Sequence, residues 1–284
     1  MRILVTGSSG FVGQYLRDHL KSAEQIPVSL QHTAIENISF ERIHAIVHLA
    51  GIAHRMQGAP EDLYFKINCD QTCALAMAAK KNGVKQFIFL STAKIFGEQS
   101  NQSFTLASIP NPNDDYSRSK YLAEQKLLAL ATEDFKIAII RPPVIYGPNV
   151  KGNIQSLVEL IKKNILLPFK GIDNRRSVLF VGNLTAFVEK ILEKNSQGVF
   201  LVADDKPIST TQLVEWMQQE YSNKSRLIQI PSFLKMLIKI FLTKHYVRLF
   251  SNFEMDTKDS FAALDFKSPF TTREGITHSN FFVK

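Results

Sequence analysis

Tyr116 and Lys120 are spaced so that a phenol and an ammonium group can meet. If this segment is helical, residues four apart share one face and lie about a turn apart. Moving a phenol pKa from about 10 toward 7 takes about 4 kcal/mol, and a nearby cation supplies part of it. A phenol with that pKa donates and accepts protons at neutral pH, which predicts general acid-base catalysis. The spacing alone also fits a solvated helix face.

A hydroxyl group precedes this pair in the chain. Ser91 and Thr92 follow directly after the apolar run 87–90, which is typical of a buried strand. A hydroxyl at the end of that strand can share a substrate oxygen with Tyr116. We therefore predict Thr92, Tyr116 and Lys120 as the catalytic residues.

A glycine-rich turn follows an apolar strand pattern at the start of the chain, where residues 6–13 read TGSSGFVG. A strand that leads through such a turn into a helix points backbone N–H groups at an anion, which predicts a dinucleotide diphosphate. Gly7 would make the tight turn, Gly10 would let the backbone approach the phosphates, and Gly13 would let the helix pack closely on the sheet. Ordinary turn chemistry is the alternative for this motif taken alone.

The elements that must position these residues alternate between strand and helix patterns, which is typical of a parallel sheet. Strands are predicted at 2–6, 28–30, 45–49, 87–91, 137–141 and 199–202. Helices are predicted at 12–21, 68–82, 116–131, 154–163 and 183–194. The sequence therefore predicts an α/β, Rossmann-like doubly wound parallel sheet with a smaller C-terminal substrate-binding lobe.

Composition supports a sizeable core, because 45% of the 284 residues are hydrophobic. The formal net charge is +8, yet Lys and Arg are scattered and we find no nucleic-acid-binding motif. Cys69 and Cys73 lie four apart in a predicted helix, which favours core residues over a disulfide or a metal site. The strand at 1–5 is too short for a signal-peptide core, so we expect a cytoplasmic protein.

The chain resembles the extended short-chain dehydrogenases, the NAD-dependent epimerase/dehydratase family of nucleotide-sugar enzymes. The shared motifs run in family order: TGSSGFVG at 6–13, HLAG at 48–51, Asn68, STAKIFG at 91–97, YSRSK at 116–120, RPPVIYGP at 141–148, NRRSVLFVGNL at 174–184 and EGI at 274–276. The resemblance implies an NAD(P)-dependent nucleotide-sugar enzyme that forms a homodimer through the Tyr116 helix. It also implies that an oxidised nicotinamide helps to lower the pKa of Tyr116.

The resemblance also implies domain limits and cofactor contacts. The dinucleotide-binding domain would cover 1–148, completed by about 177–203, and the nucleotide-sugar lobe would cover 149–176 and 204–284. His48 is expected to be structural. The expected cofactor-binding residues are Gly7, Ser9, Gly10, Phe11, Val12, Gly13, Leu49, Ala50, Gly51, Asn68, Tyr116, Lys120 and Pro143.

The residues after Thr92 distinguish reactions within the family. Dehydratases keep an Asp-Glu pair there, whereas this chain has Ala93 and Lys94, which disfavours dehydration. Lys94, VKGN at 150–153 and GIDNRRS at 171–177 resemble bacterial reductases of UDP-4-keto-6-deoxy-N-acetylhexosamines, which serve surface polysaccharide synthesis. We favour the 4-keto reductase. An NAD-dependent UDP-sugar 4-epimerase and a non-catalytic NADP-binding regulator are the alternatives.

Ligand-contacting residues follow from the same resemblance. Family members that use NAD usually carry an acidic residue at the end of the second strand, where this chain has Gln31 and His32. Both NAD and NADP are therefore expected as possible cofactors, with NADPH slightly favoured. An arginine fork matches phosphate oxygens, and Arg175 and Arg176 are candidates for the UDP diphosphate. Arg176 is the one in family register. The full set of expected substrate-binding residues is Lys94, Asn153, Arg176 and Arg248.

The segment 231–250 is apolar with interspersed Lys, His and Arg. It is too charged to span a bilayer, although a basic amphipathic helix can lie on an anionic membrane surface. We favour lobe helices that cover the substrate.

Overall fold

The computed structural model describes residues 1–52, 60–220 and 225–281. Its strands are β1 (Arg2–Thr6), β2 (Glu24–Val28), β3 (Ala45–His48), β4 (Gln86–Leu90), β5 (Lys136–Arg141), β6 (Val144–Tyr146), β7 (Leu167–Lys170), β8 (Val178–Phe180), β9 (Gly198–Leu201) and β10 (Leu227–Gln229). Its α-helices are α1 (Phe11–His19), α2 (Glu61–Phe65), α3 (Thr72–Lys81), α4 (Asp115–Leu130), α5 (Asn153–Lys162), α6 (Val181–Lys194), α7 (Thr210–Glu220), α8 (Ser232–Phe241), α9 (Thr243–Phe250), α10 (Lys258–Leu264) and α11 (Thr272–His278).

Six parallel strands form the central sheet in the order β2-β1-β3-β4-β5-β9. Side chains alternate between the two faces of a strand, so β1 contributes to two cores. Ile3 and Val5 join the cluster that includes α1 and α6, whereas Leu4 joins the cluster under α3 and α4. Helices therefore cover both faces of the sheet, and the predicted doubly wound fold is confirmed.

Most predicted elements of the sheet lie within two residues of the observed ones, with two exceptions. The strand predicted at 28–30 is wrong, because β2 is Glu24–Val28 and pairs with β1 from Arg2↔Glu24 to Thr6↔Val28. β2 is an edge strand, which needs no continuous apolar run and tolerates Pro27. The helix predicted at 68–82 begins earlier, at Glu61, and contains a π-helical stretch at Lys66–Gln71 between α2 and α3.

A second group of elements lies beyond the sheet. The pairs β6·β8 and β7·β10 join α5, α7 and α11 around a core that includes Tyr146, Phe180 and Ile276. Tyr146 donates to Asp204 over 2.7 Å, which links this core to the end of β9.

Helices α8 and α9 pack on each other. Both helices lie in the basic apolar segment 231–250. No residue of α8 is buried, which differs from the expectation that these helices pack on the lobe. Within the described part of the chain, we find no helix with the length and apolar character needed to cross a membrane.

Candidate active site

Helix α4 positions the two predicted catalytic residues. The side chain of Asp114 accepts from the Ser117 backbone N–H over 2.7 Å, and the Ser117 hydroxyl faces the Asp114 backbone N–H at 3.3 Å. This capping box satisfies backbone donors that a helix start leaves unpaired. It fixes the start of α4 so that Tyr116 lies in the first turn and Lys120 one turn later.

Lys120 lies almost fully buried at the carboxyl end of β4. Its Nζ donates to the Leu90 carbonyl oxygen over 2.9 Å and lies 4.5 Å from the centre of the Phe89 ring. Burial lowers the pKa of Lys120 to about 8. A Cβ atom at Gly51 would lie 3.2 Å from Nζ, so the ammonium borders the 49–52 loop that is expected to contact the cofactor.

The pKa of Tyr116 moves in the opposite direction to the sequence expectation. Burial raises it to about 12, against a smaller lowering by Thr92, while Asp114 and Tyr64 raise it further. Desolvation of the phenolate outweighs the stabilisation in the protein alone, because the Lys120 ammonium donates to a carbonyl. Reaching a pKa near 7 from about 12 takes about 7 kcal/mol, which Lys120 and a bound nicotinamide would have to supply together.

Thr92 caps the short 3₁₀ helix Ala93–Phe96 that follows β4. Its Oγ1 accepts from the Lys94 backbone N–H over 3.2 Å, and the Ala93 N–H donates to the Pro142 carbonyl over 2.8 Å. These bonds hold Thr92 near Tyr116, as predicted. Ser91 points elsewhere, since its hydroxyl donates to Glu124.

A buried ion pair lies one helical turn beyond Lys120 and was missed by the sequence reasoning. Arg141 Nη2 donates to Glu124 Oε2 over 2.6 Å, and both side chains are almost fully buried. The Arg141 guanidinium also lies 5.3 Å from the centre of the Phe96 ring. The sequence does contain a pattern that points to Glu124, because this residue continues the four-residue spacing of Tyr116 and Lys120 along one helix face.

The glycine-rich turn has the shape that a dinucleotide diphosphate needs. Gly7 has φ +70° and a Cβ there would lie 2.6 Å from the Ala50 backbone nitrogen, whereas a Cβ at Gly13 would lie 2.2 Å from the Gly7 oxygen. No side chain caps the N-terminus of α1, and its first turn carries no acidic residue. Because these N–H groups and the helix dipole favour an anion, the turn fits the diphosphate. Ser9 and Gly10 are exposed at this turn, with Phe11 and Val12 half-buried behind them.

A chain of hydrogen bonds ties the glycine turn to the helix on the other side of the sheet. Thr6 Oγ1 meets His48 Nδ1 at 2.7 Å, His48 Nε2 meets Thr72 Oγ1 at 2.9 Å, and the Thr72 hydroxyl donates to the Asn68 carbonyl over 2.9 Å. Since Thr72 already donates, His48 donates from Nε2 and accepts at Nδ1. Burial and Lys120 lower the pKa of His48 to about 3, so His48 is neutral and structural, as expected.

Asn68 fixes the loop that follows β3. Its Oδ1 accepts from the Ile52 N–H over 2.9 Å, while its Nδ2 donates to the Ile52 carbonyl over 3.1 Å and to Ser119 Oγ over 3.0 Å. The Asn68 amide thus joins α4 to the loop that carries Leu49, Ala50 and Gly51. Its side chain is buried and faces that loop, which makes it a positioning group for the cofactor site.

The predicted substrate-binding cations Lys94 and Arg248 meet at Glu98, a residue the sequence reasoning did not single out. Arg176, whose Nη1 donates to the Ser251 carbonyl over 2.9 Å, lies close enough for the charge of Glu98 to act on it. Lys94 Nζ lies 3.1 Å from the Glu98 carboxylate and 2.6 Å from that of Asp114, and Arg248 Nη2 lies 3.7 Å from Glu98. Glu98 also raises the pKa of Arg176, although burial is the larger cause and lowers that pKa to about 10. A cavity of about 240 Å³ opens beside Glu98, Asp114 and Arg248.

Other predicted ligand residues lie apart from this group. Arg175 is exposed, and its Nε donates to Glu254 over 2.5 Å, so its guanidinium is paired with a carboxylate in the free protein and its role as a diphosphate ligand stays a prediction. Asn153 is exposed at the first position of α5. Pro143 is half-buried after β5, next to Pro142.

The model of the family described as "NAD dependent epimerase/dehydratase family" matches residues 3–203. The chain belongs to this family. A relative named UDP-glucose 4-epimerase from Vibrio cholerae is 32% identical over 96% of this chain and 93% of its own length. An Escherichia coli O157:H7 relative, named N-acetyl-alpha-D-glucosaminyl-diphospho-ditrans,octacis-undecaprenol 4-epimerase, is 28% identical over 83% of this chain and 77% of its own length.

The fold comparison agrees with the family. The solved structure of a dTDP-4-dehydrorhamnose reductase from Bacillus anthracis in complex with NADP superposes with a TM-score of 0.80, 21% identity, and coverage of 100% of this chain and 99% of that one. The predicted family and fold are therefore confirmed. The protein is an NAD(P)-dependent nucleotide-sugar enzyme, either an oxidoreductase or an epimerase.

Proposed function

We propose that this enzyme reduces the 4-keto group of a UDP-linked 6-deoxy-N-acetylhexosamine, for surface polysaccharide synthesis. The observation that carries the proposal is the grouping of Thr92, Tyr116 and Lys120 at the end of β4, with Ala93 and Lys94 where a dehydratase keeps carboxylates. Reduction of a ketone needs one hydride and one proton. Tyr116 is the proton donor, and the two positions after Thr92 carry no carboxylate for eliminating water.

A reduced dinucleotide held at the glycine turn of residues 7–13 would supply hydride chemistry at carbon 4. The Thr92 hydroxyl donates a hydrogen bond to the ketone oxygen and orients it. Tyr116 transfers its phenolic proton to that oxygen, which becomes the product hydroxyl, and Lys120 stabilises the resulting phenolate. Because burial raises the pKa of Tyr116 to about 12, Tyr116 carries at pH 7 the proton that reduction consumes, and Lys120 and the nicotinamide would have to lower that pKa for the proton to be released.

The end of β2 supports reduced NADP as the cofactor. Residues 28–33 read VSLQHT, so no carboxylate follows β2 to accept hydrogen bonds from ribose hydroxyls or to repel a 2′-phosphate. Gln31 and His32 are exposed there. A reductase exchanges its cofactor at every turnover, and this open, uncharged end is compatible with such exchange.

The cations around Glu98 support a diphosphate-containing substrate. Arg176 and Arg248 offer guanidinium groups, and Lys94 lies 6.0 Å from the centre of the Tyr116 ring. In the proposed complex the sugar lies at Tyr116 and the diphosphate takes over cation contacts that Glu98 holds in the free protein. A charge-assisted pair with a phosphate is stronger than a neutral hydrogen bond.

The alternative is a UDP-sugar 4-epimerase, and the Vibrio cholerae relative favours it specifically. An epimerase would use the same three residues to take the proton from the carbon-4 hydroxyl and later return it. Bound NAD would supply the redox chemistry, in which the carbon-4 hydride is accepted from one face of the sugar and returned to the other. The two reactions differ in net redox change, because an epimerase recycles its NAD in place.

Measuring how much reduced cofactor is consumed per sugar separates the two reactions. The purified protein is incubated with a panel of nucleotide sugars and 4-keto sugars, with and without NADPH or NADH. For the reductase we expect one reduced cofactor consumed per 4-keto sugar, little NAD retained through purification, and no water released from UDP-N-acetylglucosamine. Protein purified with bound NAD that interconverts 4-epimers without added reductant would replace the reductase by the epimerase.

A further inference from the structure

Helix α8 turns its apolar face toward solvent. Phe241 is 76% exposed and Phe233 is 70% exposed, and Met236, Leu237 and Ile240 are exposed as well. Their positions follow the i, i+3, i+4, i+7, i+8 spacing of a single helix face, which in a globular protein normally packs on the core. We call these five residues the α8 face.

The lysines of α8 point toward its neighbour. Lys235 Nζ lies 4.8 Å from the centre of the Phe250 ring and Lys239 Nζ lies 5.8 Å from that of Tyr246, both on α9. Cation-π contacts of this kind add to the packing of the two helices. α8 is therefore held to the protein by its basic side and leaves the α8 face uncovered.

The surrounding sequence has one sign of charge. Between Glu220 and Glu254 there is no Asp or Glu, and there are six Lys or Arg residues. An apolar helix face flanked by cations matches a surface that is apolar inside and anionic outside. A phospholipid bilayer with anionic headgroups has this arrangement, and each nearby lysine adds to the attraction.

We propose that the α8 face docks on the surface of an anionic membrane. In this arrangement α8 lies in the plane of the interface, with Phe233, Met236 and Phe241 reaching into the headgroup and acyl boundary, while Lys235 and Lys239 keep their contacts with α9 and attract the lipid phosphates from the other side of the helix. At 10 residues α8 lies on the bilayer and does not cross it.

Charge disfavours a second copy of the chain as the occupant. A two-fold contact would place the same patch against itself, so the lysines beside one α8 face would oppose those beside the other. With no acidic residue in the segment, each copy would lack a counter-charge for them.

Docking would also orient the candidate active site. α9, which packs on α8, carries Arg248, whose guanidinium lies 3.7 Å from Glu98. The cavity beside Glu98 would then open close to the membrane. The docking proposal stands on the α8 face and its charge, and it does not depend on whether the enzyme is a reductase or an epimerase.

Vesicle sedimentation tests the proposal with the full-length protein. The probes are vesicles of phosphatidylethanolamine with phosphatidylglycerol and, separately, vesicles of phosphatidylcholine alone. We expect binding to the anionic vesicles and at least about a 10-fold loss of partitioning in the double variant Phe233→Ser/Phe241→Ser, because each phenylalanine would leave apolar surface in water. Ile109→Ser, at a residue 86% exposed elsewhere, is the matched control and should bind like the parent.

The charge contribution is tested with Lys239→Gln. We expect about fivefold weaker binding to the anionic vesicles at low salt, and no difference from the parent at about 1 M salt, where the Debye length falls to about 3 Å. Met236→Ser is a milder test of the apolar contribution if the double variant folds poorly, as judged by circular dichroism.

Three results would overturn the proposal. The first is a parent protein that does not sediment with anionic vesicles. The second is equal binding by the parent and the folded α8-face variants. The third is a dimer in analytical ultracentrifugation that Phe233→Ser/Phe241→Ser converts to monomer, which would assign the α8 face to a second copy.

Discussion

Helix α4 buries charged side chains, whereas helix α8 exposes apolar ones. On α4, Lys120 is 4% exposed and Glu124 is fully buried. On α8, no residue is buried. Proteins normally distribute these residue types the other way round. Both helices therefore carry an energetic cost that a purely structural element would avoid.

The two costs are offset differently. Each buried charge of α4 has a protein partner, since Lys120 donates to Leu90 and Glu124 pairs with Arg141. The α8 face has no partner within the described residues. A charge buried with partners can be kept ready for chemistry, whereas an apolar face without partners needs a second surface. The difference supports the proposals that α4 takes part in the reaction and that α8 docks on a membrane.

The largest expected effect comes from removing the phenol of α4. Tyr116→Phe should lower turnover by about 10² to 10⁴, the usual contribution of a general acid, while folding and dinucleotide binding stay intact. Steady-state kinetics and calorimetry measure the two effects separately. Lys120→Met should be at least as damaging. Near-normal turnover in Tyr116→Phe would remove the catalytic role from α4.

Breaking the buried ion pair comes next. Glu124→Ala leaves Arg141 buried without its counter-charge and should destabilise the protein by about 3 to 5 kcal/mol. Urea denaturation measures the change. In the double variant Glu124→Leu/Arg141→Met the loss should be smaller than in Glu124→Ala, because no unpaired charge remains. Equal stability of parent and Glu124→Ala would show that the pair is not what stabilises α4.

Removing a proposed substrate-binding cation should have an effect of intermediate size on UDP binding. Arg176→Ala should weaken UDP binding by about 1.5 to 3 kcal/mol and leave dinucleotide affinity unchanged, because a guanidinium contributes charge-assisted bonds to phosphate. Arg175→Ala is the matched control, since Arg175 is exposed and paired with Glu254. Isothermal calorimetry with UDP measures both. Equal UDP affinity of Arg176→Ala and the parent protein would remove Arg176 from the substrate site.

A smaller effect is expected from pH. Lys120 has a pKa of about 8, so it is charged below that value and neutral above it. Raising the pH from about 7 to about 9 should weaken NADPH binding by up to about tenfold if only the charged form binds well. Lys120→Met should bind weakly with no such dependence. A flat profile for the parent protein would mean that the charge of Lys120 does not contribute to cofactor affinity.

The smallest expected effect is on the free energy of unfolding when an exposed residue of α8 is replaced, and a buried residue of α4 provides the comparison. Met236→Ser on the α8 face should change the free energy of unfolding by less than about 0.5 kcal/mol, because the side chain is already exposed. Leu127→Ala on α4 should cost about 2 to 5 kcal/mol, since Leu127 is fully buried. Urea denaturation of both variants provides the test. A large loss in Met236→Ser would show that α8 packs on the protein in solution.

Local patterns predicted the sheet and brought forward the candidate catalytic residues, because strand and helix periodicity and the Tyr116 to Lys120 spacing lie within short segments. The other features of the site depend on contacts between distant segments, which short sequence patterns do not predict. The pairing of Arg175 with Glu254, 79 residues further along the chain, and the approach of Arg176 and Arg248 to Glu98 arise only when distant segments meet. The pKa of Tyr116 also depends on burial, which spacing does not reveal.

The π-helical stretch at Lys66–Gln71 determines what a single-residue deletion in this segment would do to the protein. A π turn holds one residue more than an α turn, so a single-residue deletion there would leave an intact, continuous helix. Because a π stretch winds through about the same angle as an α-helix one residue shorter, the helices on either side would keep their relative orientation. Within the stretch the register would shift, and the Asn68 amide would no longer face Ile52 and Ser119. A change of length here would therefore remove the Asn68 contacts while leaving the flanking helices in place.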